Sequence, residues 1–476
     1  MPARKVAMPS DVASDLVAGL ADLRTALQVP EDFPPEVNAA AERAAAAPRW
    51  PDLDRSDLEL ITIDPPGSRD LDQALHIARD GSGFVVSYAI ADVAAFVTAG
   101  DPVDLEAHRR GNTLYAPDRR TPLHPKALSE GAASLLPNQV RPALLWTIRL
   151  DDHGKTLDAD VVRAQVRSRE QLTYDQAQAE LDGGSPRMSL ALLREVGLLR
   201  EQRERDRGGV SLQIPEQEVH TDDGSWTLAF RAPLPVEGWN AQISLLTGTS
   251  AAHIMLYGQV GILRTMPPAD PGSLRRLRQT AKALRIRWPA ELDYPEFVRS
   301  LDPNQPAHAA MLNACTTLFR GAGYRAFSGG VPEDAEHSAL AIEYAHATAP
   351  LRRLVDRYVG EVCVSLCANV AVPGWVLRTL DALPAEMAAA EQRAKKYERM
   401  IIDLIEVFVL ADRVGETFRG TVVDVDEGKS RGVVMIAEPA VAARIRGDNL
   451  PLGHQVSVRL ASADITKGAV EFVLAD

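Results

Sequence analysis

Residues 62–75 read Thr62-Ile63-Asp64-Pro65-Pro66-Gly67-Ser68-Arg69-Asp70-Leu71-Asp72-Gln73-Ala74-Leu75. A strand leaves into a stiff Pro-Pro-Gly loop, which delivers three carboxylates, Asp64, Asp70 and Asp72, within nine positions. Asp70 and Asp72 stand at i and i+2, so in extended chain both side chains point to one side, and the loop can fold Asp64 back towards them. Crowding of like charges is unfavourable without a cation. Hard oxygen ligands with no histidine nearby suit Mg²⁺ or Mn²⁺ rather than zinc, and magnesium of this kind is usually shared with substrate phosphates. Phosphodiester chemistry is the natural consequence. The competing reading is a solvated acidic loop or an Asx-turn, because Asp is a common turn residue and short acidic motifs recur by chance.

Around this stretch the pattern is β: residues 60–63, 74–77 and 84–90 are short apolar runs, with a hairpin turn at 80–83. Helical patterns dominate 175–205 and 239–265, so the middle of the chain is mixed α and β. Towards the N-terminus, Val12, Leu16, Leu20, Leu23 and Leu27 recur at spacings of three and four behind Ser10 as N-cap, and 36–47 reads as a second helix ended by Pro48. A docked pair of helices is expected there, with a DNA-reading helix-turn-helix as the rarer alternative. Two further helices are expected over 350–370 and 384–411. Beyond them, 417–425, 432–436, 443–446, 455–460 and 470–474 read as five short strands, the pattern of a small OB-type barrel. The expected class is α+β: a short helical segment over 1–49, a mixed α/β domain over 50–414 and an all-β barrel over 415–476.

A second stretch carries cations: Tyr344-Ala345-His346-Ala347-Thr348-Ala349-Pro350-Leu351-Arg352-Arg353-Leu354-Val355-Asp356-Arg357. Pro350 suits the first position of a helix, which places Arg352 and Arg353 in its first turn. Cationic side chains there oppose the helix dipole unless an anion is bound at that end. The alternative is an exposed Arg352–Asp356 pair at i, i+4, worth only about 0.2–0.5 kcal/mol.

The 476 residues carry 52 Lys plus Arg against 65 Asp plus Glu, a net charge of −13. A chain so acidic cannot coat nucleic acid by global charge, so any such site must be a local basic channel. Its length allows more than one domain. Cys315, Cys363 and Cys367 form no CxxC, which argues against a disulfide framework or a zinc site and for the cytoplasm. No apolar run approaches the ~20 residues of a membrane span, and Ser10, Asp11, Ser14 and Asp15 interrupt any signal-peptide core. Neither membrane insertion nor export is expected, and no protein partner is indicated.

Together the acidic and arginine stretches resemble the ribonuclease II family, the RNB-domain exoribonucleases. Ile90-Ala91-Asp92-Val93, Arg110-Gly111, Tyr115-Ala116-Pro117, Leu135-Leu136-Pro137-Asn138, Arg141, Leu172-Thr173-Tyr174 and Glu398-Arg399 recur in that family's order. The resemblance implies a magnesium-dependent enzyme that removes 5′-nucleoside monophosphates processively from the 3′ end of single-stranded RNA. Carried over by position, Asp64, Asp70 and Asp72 would bind metal, Mg²⁺ or Mn²⁺, with Gln73 at a fourth ligand position. Asp72 and Arg352 would be catalytic, with Glu398 assisting near the metal. Tyr115, Tyr174 and Arg353 would contact RNA, and the C-terminal barrel would be an S1-type RNA-binding domain with Phe418, Lys429 and Arg431 as contacts. Departures are equally plain. Gln73 replaces an Asp, Leu212 stands where an aromatic clamp is common, and Ser244-Leu245 replaces paired glutamates. Those departures motivate a rival reading, a catalytically weak or inactive RNA-binding protein on the same fold. A nucleotide-binding enzyme is disfavoured, because 321–323 lacks the rest of GxGxxG and Val423 stands where a Walker A loop needs Gly.

Overall fold

Five strands close the barrel that carries the acidic stretch: β1 (Leu60–Asp64), β2 (Gln73–Asp80), β3 (Gly83–Ala91), β4 (Val140–Leu150) and β5 (Thr156–Thr173). The computed structural model describes residues 10–475 apart from 31, 211–215, 223, 224, 232, 303, 304, 320, 427, 428, 466 and 467. Neighbouring strands pair antiparallel, and the closure runs parallel between β1 and β5, with Asp64 opposite Thr173. That pairing brings the end of β1 beside the start of α4 (Tyr174–Asp182). β3 is buried along almost its whole length. Tyr88, Trp146, Ile77 and Leu144 fill a core shared with α5 (Met188–Asp206), α6 (Pro235–Tyr257) and α7 (Leu354–Cys367).

The helix expected over 239–265 ends at Tyr257. Residues Val260–Thr265 are instead a strand paired antiparallel with Gly323–Ser328. Gly258 caps the helix, Gln259 takes φ +55°, and the β-branched Val260 and Ile262 then favour extended chain.

The N-terminal helices do not form a helix-turn-helix. α1 (Ser10–Ala26) buries Leu16 and Leu20 against Tyr397, Ile401 and Leu404 of the long α8 (Leu383–Leu410). α2 (Pro35–Ala46) buries Val37 and Ala41 in a different cluster, against α3 (Pro102–Arg110). Each helix covers its own apolar face on the body of the protein, so no recognition unit is left standing.

The C-terminal barrel closes as expected, from β6 (Thr417–Val425), β7 (Arg431–Ile436), β8 (Val441–Arg446), β9 (Gln455–Asp464) and β10 (Ala469–Leu474). Its interior, with Val422, Val434, Ile445, Leu460 and Phe472, is continuous with the cluster of α1 and α8. Phe418 corrects the expectation of an RNA contact. Its ring is 7% exposed, edge-on to Phe472 at 5.8 Å, with the Arg413 guanidinium 4.5 Å from its centroid. Phe418→Ala is therefore expected to cost about 3–5 kcal/mol of stability, read by denaturant unfolding, and to weaken RNA binding only as far as the barrel loosens. Unchanged stability with lost RNA affinity would reverse that assignment. Lys429 and Arg431 are exposed, but both pair with Asp426, at 3.3 and 2.6 Å. Among the described residues no helix is long and apolar enough to cross a membrane.

Candidate active site

The acidic loop is pinned from outside itself. Gly67 takes φ +79°, a conformation that favours glycine, and the Ser68 N–H closes a turn onto the Pro65 carbonyl at 3.2 Å. Ser134 Oγ accepts from the Leu71 N–H at 2.9 Å and donates to the Arg69 carbonyl at 2.6 Å. The Leu135 N–H binds the Leu71 carbonyl at 3.0 Å, and Gln171 Nε2 on β5 binds the Ser68 carbonyl at 2.9 Å. Sequence reasoning did not single out Ser134. A small hydroxyl beside the Leu-Leu-Pro-Asn motif was the available signal.

The arginine stretch divides its two cations. Helix α7 begins at Leu354 with Arg353 as its N-cap residue, so both arginines precede the helix rather than occupying its first turn. Arg353 forks onto Asp356, Nε to Oδ2 at 2.5 Å and Nη2 to Oδ1 at 2.8 Å, while Asp356 Oδ1 also accepts the Ala349 N–H at 2.7 Å. This corrects two expectations. The internal pair is Arg353–Asp356, not Arg352–Asp356, and Arg353 serves loop geometry through a fork already engaged by Asp356. Arg352 turns the other way, with Nε 3.4 Å from Asp72 Oδ2 and a side chain 47% exposed. The Leu351 N–H donates to Asp72 Oδ1 at 2.8 Å, so one buried carboxylate holds both the backbone and the guanidinium of this loop.

The remaining residues gather around that contact. The Thr113 N–H donates to the Arg352 carbonyl at 2.9 Å, which hangs the short ladder Leu114–Tyr115 with Arg120–Thr121 beside it. Tyr115 is 51% exposed there, an aromatic face open to solvent next to Asp70 and Arg352. Arg120 binds Asp70 and also Glu130, the latter at 2.7 Å. Tyr174 opens α4, close enough to feel the Asp64 charge, and shares a hydrogen bond with Asn240. Glu398 is exposed on α8, and among the described residues no hydrogen bond or ion pair joins it to the acidic loop or to Arg352. Gln73 is occupied: its Nε2 donates to the Thr348 carbonyl at 2.6 Å and its Oε1 accepts from the Tyr88 hydroxyl at 2.8 Å. Leu212 lies outside the described residues. Cys363 is a core residue, and His346 is half-buried with its ring hydrogen-bonded to the Tyr324 hydroxyl at 2.8 Å.

Burial pushes the Asp64 carboxyl up to about 6, with the Asp70 charge adding to it and Thr62 and Arg352 opposing. Burial pushes Asp72 up to about 8, with Arg352 and the Leu351 N–H opposing. Both groups lie above the usual carboxylate range, so the folded chain binds more protons than the unfolded one from about pH 4 to 8. The stability this gives is full below the unfolded value and is lost as pH rises through the folded ones. Buried His124 and half-buried His337, each lowered to about 4 chiefly by desolvation, act oppositely below about pH 6.5. The informative quantity is thus the difference between wild type and Asp72→Asn in a chelator. The wild-type thermal midpoint should fall relative to the variant between about pH 5 and 8. Parallel curves across that window would contradict the buried, protonatable Asp72.

The donor chemistry fits a hard cation. Asp64 Oδ2 is buried with no hydrogen-bond partner, and the nearby acidic donors are all oxygen. Among the described residues no three His, Cys, Asp or Glu side chains form a cage for a metal ion. A cation here would complete its shell from substrate oxygens and water, as magnesium commonly does.

Residues 53–367 match the RNB domain model, and 416–475 match the model described as RNase II-type exonuclease C-terminal S1 domain. The chain belongs to the RNB-domain family. Ribonuclease R of Aquifex aeolicus is 26% identical to it, over 97% of this chain and 70% of that protein. Ribonuclease R of Escherichia coli is 25% identical over 89% and 57%, and exosome complex exonuclease dis3 of Schizosaccharomyces pombe 27% identical over 65% and 34%. This RNB chain thus spans from a third to 70% of those relatives' lengths. Among solved structures, Mycoplasma genitalium RNase R in complex with ribose methylated single-stranded RNA superposes with a TM-score of 0.85 at 19% identity, covering 97% of this chain and 78% of that one. Yeast Ssd1, a pseudonuclease, superposes with 0.68 at 16% identity, over 88% and 52%. At such identities the likeness is one of fold, shared by a protein titled RNase R and by one titled a pseudonuclease.

Proposed function

We propose that this chain is a 3′-to-5′ exoribonuclease that hydrolyses single-stranded RNA processively to 5′-nucleoside monophosphates, using Mg²⁺ or Mn²⁺, in the cytoplasm. The observation that carries the reading is the contact of Arg352 with buried Asp72, with Asp70 near enough to act on Asp72 and Asp64 near enough to feel Asp70 and Arg352. Pure RNA binding gains nothing from carboxylates that repel phosphate, whereas hydrolysis needs a cation site and a fixed guanidinium together. The names of the relatives, ribonuclease R and an exosome exonuclease, support the same class of reaction.

Within this reading Asp64 and Asp70, with Asp72 behind them, would hold the cation, which supplies charge neutralisation and an activated water when bound. Asp72 keeps Arg352 and the Leu351 amide in place, and Arg352 offers its remaining N–H groups to the scissile phosphate. Tyr115 provides a stacking face, and stacking is tolerant of sequence, as an enzyme that degrades any RNA requires. Tyr174, close enough to feel the Asp64 charge, would contact the terminal nucleotide.

The test uses 5′-labelled RNA and DNA of one sequence, each with Mg²⁺ and with a chelator, resolved on a gel. Shortening of RNA from the 3′ end in Mg²⁺ alone is expected. Internal cuts, or equal activity in chelator, would refute the reading. Stable RNA binding without any shortening would favour the inactive binder that Gln73 and the fold of Ssd1 suggest.

A further inference from the structure

Gln73 sits next to Asp72 at the start of β2, where the resemblance placed a fourth metal ligand. Its hydrogen bonds assign it other work. The Thr348 carbonyl can only accept, so the amide nitrogen must face it, which fixes the amide oxygen towards Tyr88. Tyr88 is buried, and its hydroxyl also lies 2.9 Å from Ser244 Oγ on α6. If Tyr88 donates to Gln73, Ser244 donates to Tyr88, and every hydroxyl and amide group in the chain finds a partner in one consistent order. Adjacent residues of the acidic stretch therefore grip the arginine stretch at two points: Asp72 holds the Leu351 N–H and Gln73 the Thr348 carbonyl. Arg352 follows directly after the first of these. An Asp at position 73 would be one methylene shorter, would lack the donor, and would set a carboxylate against the Thr348 carbonyl.

We infer that Gln73 is a positioning residue and not a metal ligand: through Thr348 it sets Arg352 against Asp72, and cation binding is left to Asp64, Asp70 and Asp72. The inference rests on the functional reading above. Two half-buried side chains joined through the buried Tyr88 hydroxyl make a stiff polar chain, and leaving that hydroxyl unpaired carries a desolvation penalty. Small displacements of a group that meets the transition state lower the rate while leaving ground-state binding nearly intact.

The test compares wild type with Gln73→Met, which keeps the length and loses both hydrogen bonds, and with Gln73→Asp. Mn²⁺ is titrated by electron paramagnetic resonance into each protein with excess RNA bearing a non-hydrolysable 3′-terminal linkage. RNA affinity in calcium and the single-turnover rate at saturating Mg²⁺ are measured beside it, and thermal unfolding confirms that each variant is folded. Wild type and Gln73→Met should bind the same number of ions, with affinities for Mn²⁺ and RNA within about twofold, while the rate of Gln73→Met falls on the order of 10- to 100-fold. Gln73→Asp should lose rate as well and gain no ion. The inference is overturned if Gln73→Met loses Mn²⁺ affinity tenfold or more, if its rate matches wild type, or if Gln73→Asp takes up a further ion and equals or exceeds wild type. Failure of the functional reading shows differently: wild type itself then takes up no Mn²⁺, and the assignment of cation binding to the three carboxylates falls with it.

Discussion

Asp72→Asn should abolish hydrolysis while leaving RNA bound. The Asn carbonyl can still accept the Leu351 N–H, so the loop keeps its backbone anchor. Its amide, however, sets a donor against the Arg352 guanidinium, where the carboxylate oxygen now lies 3.4 Å away. The variant thus frees Arg352 and removes one negative charge from the cation site together. In a Ser-His-Asp triad, amidating the buried carboxylate that orients the histidine lowers turnover about 10⁴-fold, and a loss of that order is expected here. Removing that charge also reduces repulsion of the phosphate backbone, so affinity in calcium should hold or rise. Single-turnover decay of bound RNA beside equilibrium binding measures both, and an Asp72→Asn variant that still degrades RNA would refute the assigned role.

Arg352→Lys should lower the rate on the order of 10²–10³-fold with little change in affinity, as when one oxyanion donor is lost. In the structure Arg352 turns Nε towards Asp72 at 3.4 Å, and among the described residues no hydrogen bond engages its Nη groups. A lysine ammonium is a single centre: it can sit on Asp72 or on the phosphate, but it cannot present a planar fork to both. Affinity lost in proportion to rate would mean that the arginine only binds the ground state.

The local elements that carry the chemistry were legible because they depend on nearby residues. Asp64 through Asp72 read as a strand, a rigid turn and three carboxylates, and the five strands of the C-terminal barrel read from their turns. Long-range pairing was not legible. β4 and β5 went unassigned although they supply two of the first barrel's five strands: β4 contains Pro142 in a continuous apolar run, and β5 carries charged residues along its outer face. β4 gives no alternating signal, whereas Val162-Arg163-Ala164-Gln165-Val166-Arg167 of β5 alternates and was readable; no local pattern reveals the parallel closure that brings Tyr174 to Asp64. The division of labour between Arg352 and Arg353 turned on where α7 begins, and helix boundaries are the least readable feature of a pattern. Phe418 was readable after all. Exposed Thr417 and Arg419 flank it, which places its ring inside the barrel by strand alternation.

The most direct measurement is the fate of the oxygen. RNA degraded in H₂¹⁸O with Mg²⁺ and analysed by mass spectrometry should release nucleoside 5′-monophosphates that carry one ¹⁸O in the phosphate. Water then attacks phosphorus and the 3′-oxygen of the preceding nucleotide leaves. Nucleoside 3′-phosphates, 2′,3′-cyclic phosphates or unlabelled 5′-phosphates would contradict hydrolysis at the Asp72–Arg352 centre.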